Sequence, residues 1–478
     1  MWSGLTETFR NMRRWFFPAG VLLGVFMMGI LATIYNALAT LRVTSGMLVI
    51  VCLLRYPYML LLAWASLNVC IGSSLALFNG NNIDMALIVP SLLLLGFIPW
   101  KQVLQRLPGL LLLVCYLVWV LAGIGLSPLG PQAFLTFWLT MLAAVAISAL
   151  TIVFVTTRQR LLWLIDTLLV IALAVALYGI AGFLTHQNGE VDPDTHLFRI
   201  MSLFTQATTC AFYLSLLLPL AFYRMWFLKG KKQLISAGLV LCLLLALLLT
   251  FTRSAYVAVF VEVLVLAWCL PLRRIRIWIT AGLCVFSGLA ILLGWSGRLP
   301  FLARFFNGDV LTLNGRIYLW QALLSHFQVT QWLGQGLQAS DALLAALQIG
   351  NDGRGVIGHA PHNLYLGTLY DQGIIGLLLL LALFFSLGWS LLQGIQRSAG
   401  ERRMLYAGGL AALLDVLLQS LLSRDIWIQA VGVSFWMILA LPCALYWSQP
   451  ASDHWMKRPE ETPPERLPAM LPVYSLFT

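Results

Sequence analysis

The sequence predicts an all-α, polytopic membrane protein, and three observations carry that class. Of the 478 residues, 60% are hydrophobic and only 10% charged, with a mean hydropathy of +0.89. A soluble domain carries about a quarter of its residues charged, because water must wet its surface. Second, apolar runs of roughly 20 residues recur along the chain, the length that a hydrocarbon core about 30 Å thick demands. Third, Lys and Arg cluster in short stretches between those runs. Lipid offers no partner to open backbone N–H and C=O groups, so such runs must be helices.

Taken in order, spans are expected at 18–35, 38–54, 57–78, 84–100, 108–127, 131–155, 160–184, 200–227, 233–250, 254–270, 277–295, 362–392, 404–422 and 426–447. This amounts to about 12–14 transmembrane helices with one long external loop. Short basic loops stay in the cytoplasm. That side therefore takes the N-terminus, Arg55, Lys101 to Arg106, Arg158 to Arg160, Lys229 to Lys232, Arg273 to Arg276, Arg397 to Arg403 and the tail. Arg10, Arg13 and Arg14 precede an apolar run without a small-residue cleavage site, which reads as a retained first span. Four regions follow: a transmembrane bundle over 1–295, an external loop over 296–361, C-terminal transmembrane helices over 362–447, and a disordered cytoplasmic tail over 448–478.

The net charge of +11 does not imply nucleic acid, because the basic residues are placed as orientation signals and the natural partner is membrane lipid. None of the 8 cysteines forms a CxxC pair, and all lie in apolar stretches, as small buried hydrophobes do. Two external segments stand out. Thr185 to Arg199 is polar and acidic. Ser296 to Pro361 contains Ile317, Trp320, Leu324 and Phe327 at helical spacing, the pattern of an amphipathic helix lying at the outer interface or capping the bundle.

The exterior side collects the residues fit for chemistry. Arg199 closes the first long loop, Arg253 lies in Thr250-Phe251-Thr252-Arg253-Ser254, and Arg316 opens the amphipathic helix. His359 and His362 stand in His359-Ala360-Pro361-His362-Asn363, and Arg424 with Asp425 lies in the last exterior turn. A guanidinium fork matches phosphate with two charge-assisted hydrogen bonds. Several arginines around a histidine point to a diphosphate leaving group and a general base that takes a proton from an acceptor hydroxyl, hence to a glycan-transferring enzyme. The competing reading of any single arginine is headgroup snorkelling or helix capping. Arg253 interrupts an apolar hairpin, where an idle charge is expensive.

His-x-x-His is a helical metal spacing, yet Pro361 and the lack of a nearby acidic ligand oppose it, so no metal is expected. His362 is the catalytic candidate and His359 a structural cap. Glu262 and Asp415 lie inside spans, either functional or paired with an arginine of the bundle. With no Walker loop or GxGxxG fingerprint, no cofactor is expected. A reading from another class is a transporter of lipid-linked glycan or small anions, which predicts charges near the midplane rather than at one surface.

Four stretches resemble the O-antigen ligase and polymerase superfamily of bacterial inner-membrane proteins. Arg199-Ile200-Met201-Ser202-Leu203-Phe204 is similar to its Arg-x-x-Ser-x-Phe segment, with Ala207-Thr208 where the family has Pro-Asn. Thr252-Arg253-Ser254 resembles its Thr-Arg-Ser/Gly hairpin. Gly315-Arg316 with Trp320, then Leu333-Gly334-Gln335-Gly336, resembles its helix start and following turn. His362-Asn363-Leu364-Tyr365-Leu366, followed by Gly373-Ile374-Ile375-Gly376, is the strongest match.

The resemblance implies a metal-independent helical glycosyltransferase of the C type, with an undecaprenyl-diphosphate-linked glycan as donor and a glycan or lipid hydroxyl as acceptor. Arg253 and Arg316 would hold the diphosphate, and His362 would act as base or position the acceptor. Arg199, Trp320, His359, Asn363, Tyr365 and Arg424 would line the substrates. Direct displacement would invert the anomeric carbon, on the periplasmic face of the inner membrane. Ligation, polymerisation of repeat units and transfer to protein hydroxyls all remain open.

Overall fold

The computed structural model describes residues 52–69, 80–136, 140–192, 197–270, 316–328, 332–347 and 360–448, with a few more between 277 and 285. The span expected at 18–35, most of those at 38–54 and 277–295, and the tail lie outside the described residues. The chain runs through α1 (Pro57–Leu67), α2 (Gly80–Leu95), α3 (Trp100–Arg106), α4 (Gly109–Gly123), α5 (Pro131–Thr136), α6 (Leu142–Phe154) and α7 (Arg158–Thr185). An antiparallel hairpin, β1 (Gly189–Val191) and β2 (Phe198–Ile200), precedes α8 (Ala207–Phe227), α9 (Lys231–Leu249) and α10 (Arg253–Cys269). Then come α11 (Arg316–His326), α12 (Ala339–Leu347), α13 (Leu364–Arg397), α14 (Gly400–Gln419) and α15 (Gln429–Ala440).

Among the described residues 6 helices are long and apolar enough to cross a membrane, or 7 if the pair α2–α3, bent by 102°, counts as one span. The protein is thus an all-α, multi-pass membrane protein. The bend falls where Pro99 precedes α3, since proline lacks the N–H that would carry the helix onward. The span expected to reach residue 100 therefore stops at Leu95, and the basic stretch Lys101 to Arg106 is helical rather than a loop. α10 has 17 residues, and α14 carries Glu401, Arg402, Arg403 and Asp415, yet these two helices pack closely along each other. Buried Ala407, Ala411 and Ala412, with Gly408 facing Pro219 of α8, let backbones approach where Leu side chains would hold them apart.

The basic clusters meet at one end of the bundle. Arg106 Nη1 donates to the carbonyls of Cys443 (3.2 Å) and Ala444 (3.0 Å), and Arg402 Nε to that of Pro442 (3.2 Å). Arg158 pairs with Glu401, and Arg224 Nε with Asp166 Oδ1 at 2.7 Å. This is the end that the charge pattern assigns to the cytoplasm.

At the other end the polar segment after α7 is more ordered than a loop. His186 takes the left-handed conformation (φ 55°), Gln187 N–H closes the last turn on the Gly182 carbonyl at 2.8 Å, and the chain enters the hairpin, in which Glu190 faces Arg199. The expected amphipathic helix is α11, but its inward face is Leu319 and Leu323, with Trp320 and Phe327 at the flank; Leu324 is exposed. Those two leucines pack with Ala339, Leu344 and Tyr370 into a small core of their own.

α13 is broken at Gly373 (φ 71°, ψ −172°). The break frees three carbonyls, and each finds a donor, as carbonyls out of reach of water must. Gln335 N–H donates to Tyr370 O (3.1 Å), Gly336 N–H to Asp371 O (2.8 Å), and Trp119 Nε1 to Gln372 O (3.0 Å). A β-carbon on Gly373 would strike the Trp332 carbonyl. The Gly-x-Gly turn after α11 thus docks backbone to backbone into the broken helix, fixing α11 and α12 against the bundle.

Candidate active site

The residue that opens the site is His362. It sits at φ 47°, just before Asn363 caps α13 by accepting from Leu366 N–H at 2.9 Å. The short peptide around it is held from two sides. Asn363 Nδ2 donates to the Leu421 carbonyl (3.0 Å) and Leu364 N–H to that of Ser420 (2.9 Å), so the loop is stitched to the end of α14. Tyr365 Oη donates to Leu417 O at 3.1 Å, on the same helix. From α11, Trp320 Nε1 donates to Pro361 O at 2.9 Å. Trp320, Asn363 and Tyr365 therefore all act on the backbone that presents His362. His359 and Gly315 lie outside the described residues.

Two guanidiniums bear on the imidazole. Burial is the largest influence on His362 and the charges of Arg316 and Arg424 follow, together pushing its pKa from 6.5 down to about 4. The ring is therefore neutral near pH 7, with a nitrogen lone pair free of a proton. Arg424 is itself clamped. Its Nη1 donates to Asp341 Oδ1 (3.0 Å) and Ser340 Oγ (3.2 Å), and its Nη2 to Asp371 Oδ2 (3.3 Å). Asp371 also receives the N–H groups of Ser340 (2.7 Å) and Gln338 (3.2 Å), capping α12. One buried carboxylate thus fixes both the arginine and the start of α12.

Arg316 opens α11 and acts electrostatically on both His362 and Asp425. Asp425 accepts from Thr209 Oγ1 at 2.8 Å, and burial raises its pKa above the usual carboxylate value. Arg199 forms a neighbouring corner. Its Nε donates to Thr250 O (2.9 Å) and its Nη2 to Thr252 Oγ1 (3.3 Å), while Nη1 lies 2.8 Å from Glu190 Oε1 and 3.7 Å from Asp192 Oδ2. Its fork is committed to bracing the hairpin against the turn from which half-buried Arg253 opens α10.

The structure therefore brings Arg316, Trp320, His362 and Arg424 together. It uses Asn363 and Tyr365 as ties and gives Arg199 a bracing role beside Arg253. Asp341 and Asp371 were not anticipated. For Asp371 the signal was present, an acid inside an apolar run after His362; for Asp341 nothing local distinguishes it from a surface acid. Among the described residues no group of 3 His, Cys, Asp or Glu side chains is arranged to hold a metal ion. A separate groove of about 820 Å³ between α7, α8 and α9 reaches Arg158 and Arg224 at the opposite end of the bundle and shares no residue with this site.

Fold and site together define a helical multi-pass membrane protein that presents arginine and histidine at one face. Residues 237–381 match the family model described as O-Antigen ligase, a stretch that includes Arg253, Arg316 and His362. The chain is also 26% identical over 241 residues to the exopolysaccharide production protein ExoQ of Rhizobium meliloti (strain 1021). That match covers 47% of this chain, and the chain spans 54% of the relative's length. The resemblance to the O-antigen ligase and polymerase superfamily carried by the motifs is thus shown.

Proposed function

We propose that this protein transfers a glycan from an undecaprenyl-diphosphate carrier to an acceptor hydroxyl, in the manner of an O-antigen ligase, at the outer face of the inner membrane. The observation that carries this reading is His362, presented by a loop tied to Trp320 and the end of α14, within electrostatic reach of Arg316 and a clamped Arg424 on the face opposite the basic loops. The acceptor oxygen attacks the anomeric carbon as the bond to the diphosphate oxygen breaks. The electron pair leaves with the diphosphate, and the acceptor proton passes to His362 and on to water. Arg316 and Arg253 offset the charge growing on the leaving group, which is worth most where water is scarce. The two guanidiniums supply that positive charge, so the reaction runs without metal, and single displacement inverts the anomeric carbon.

A second reading, the joining of lipid-linked repeat units, is favoured by likeness to a protein named for exopolysaccharide production. The two share a donor and differ in acceptor. The test is transfer by purified protein in detergent from a synthetic undecaprenyl-diphosphate oligosaccharide, with EDTA, against His362→Ala and Arg316→Ala. Transfer that survives EDTA and is lost in both variants supports the reading, and the acceptor used separates ligase from polymerase. Transfer that persists in both variants refutes the site.

A further inference from the structure

The catalytic reading leaves Glu262 and Asp415 unused, and they sit in the middle of the bundle where α10 packs on α14. Asp415 is completely buried yet well served. Ser215 Oγ from α8 lies 3.1 Å from its Oδ2, Gln419 Nε2 donates to its Oδ1 at 2.7 Å, and the same amide reaches Ser215 Oγ at 2.9 Å. An arginine, the alternative the sequence left open for it, is not among these contacts. Glu262 is different. It is 1% exposed, and neither carboxylate oxygen has a hydrogen-bond partner among the described residues. Among the described residues the charged group within electrostatic reach of it is Asp415; Arg403 of α14 lies elsewhere on that helix, toward Cys269.

An ionised carboxylate buried without a partner costs several kcal/mol, more than a bundle tolerates for nothing. The donors around Asp415 are neutral and cancel no charge, so a cation held with the pair would leave at most one negative charge there instead of two. The two carboxylates, with the Ser215 hydroxyl beside Asp415, offer oxygen, the ligand type that suits a hard cation. We propose that Glu262 and Asp415 form a binding site for one monovalent cation, a proton or Na+, inside the bundle, whose occupancy sets the spacing of α10 and α14.

The location gives that spacing a consequence. Glu262 lies about 13 Å along α10 from Arg253, and Asp415 about 7 Å along α14 from Ser420. Ser420 and Leu421 accept the hydrogen bonds that hold the His362 loop. The pair therefore bridges the helix that starts at Arg253 and the helix whose end holds the His362 loop. With the cation bound, two carboxylates attract a common charge; without it they repel across a low-dielectric gap.

The test needs no glycan transfer, so it stands or falls apart from the proposed reaction. Purified wild type in detergent is treated with dicyclohexylcarbodiimide, which attacks protonated carboxyls in apolar surroundings. The Glu262 peptide is quantified by mass spectrometry between about pH 5 and pH 9, in NaCl or choline chloride. The expected result is labelling at Glu262 that falls about tenfold per pH unit above half-titration. Protection by NaCl over choline identifies Na+ as the ligand; indifference to the salt identifies the proton. Absence of labelling at every pH in choline, or labelling that responds to neither pH nor Na+, overturns the proposal. As a second measurement, the unfolding temperature of wild type should depend on pH or Na+ and that dependence should flatten in Glu262→Gln. The same dependence in the variant overturns it too.

Discussion

Replacing Arg316 with glutamine should change the titration of His362, and the structure sets both direction and limit. In the wild type the imidazole is driven from 6.5 to about 4, first by burial, then by Arg316, then by Arg424. That depression amounts to about 3 kcal/mol against the imidazolium. Arg316→Gln removes the stronger of the two electrostatic influences and leaves burial in place. Half-titration should therefore rise by about half to one unit and stop short of 6.5. The shift has a stability counterpart. The unfolded chain takes up this proton as pH falls through 6.5, whereas the folded protein resists until about 4. Stability from this group is complete above 6.5 and is lost progressively down to about 4, a window that narrows in the variant. The assay is NMR titration of histidine-labelled protein in lipid nanodiscs, with His362→Gln to assign the resonance. Half-titration near 6.5 in the wild type, or no upward movement in Arg316→Gln, would refute the placement of the two arginines around the ring.

Other consequences follow from the same contacts. Arg316→Ala should lower the transfer rate by about a hundredfold or more, because a preorganised charge at the leaving group is lost. Arg158→Ala, which breaks a half-exposed pair with Glu401 at the opposite end, should leave the rate unchanged and cost at most about 1 kcal/mol. Asp371→Ala removes a buried partner of Arg424 together with the cap of α12, and should cost about 3–5 kcal/mol, read as a lower unfolding temperature. Gly373→Ala puts a β-carbon against the Trp332 carbonyl at a positive φ and should cost more than about 2 kcal/mol. Limited proteolysis should then find the segment around α11 and α12 released first.

The class of this protein was written in its composition. Apolar runs of bilayer length leave only helices as an answer, and the basic clusters sort the two ends, because both are local properties that need no knowledge of what packs against what. The corners of the candidate site stand out in the sequence for a related reason. Arg253 between spans, Arg316 at a helix start and His362 before a span each break a local pattern where a charge or a polar ring is costly to keep. The tertiary structure alone decided what those residues meet. Arg424 finds Asp371 at a separation of 53 residues and Asp341 at 83, and Ser215 meets Asp415 at 200. No periodicity encodes such pairings, since they depend on how helices are rotated and stacked. For the same reason α11 turned Leu319 and Leu323 inward rather than Leu324, and Asn363 and Tyr365 became ties of the loop. A sequence fixes which side chains exist at each membrane face; packing fixes which of their donors and acceptors remain for a substrate.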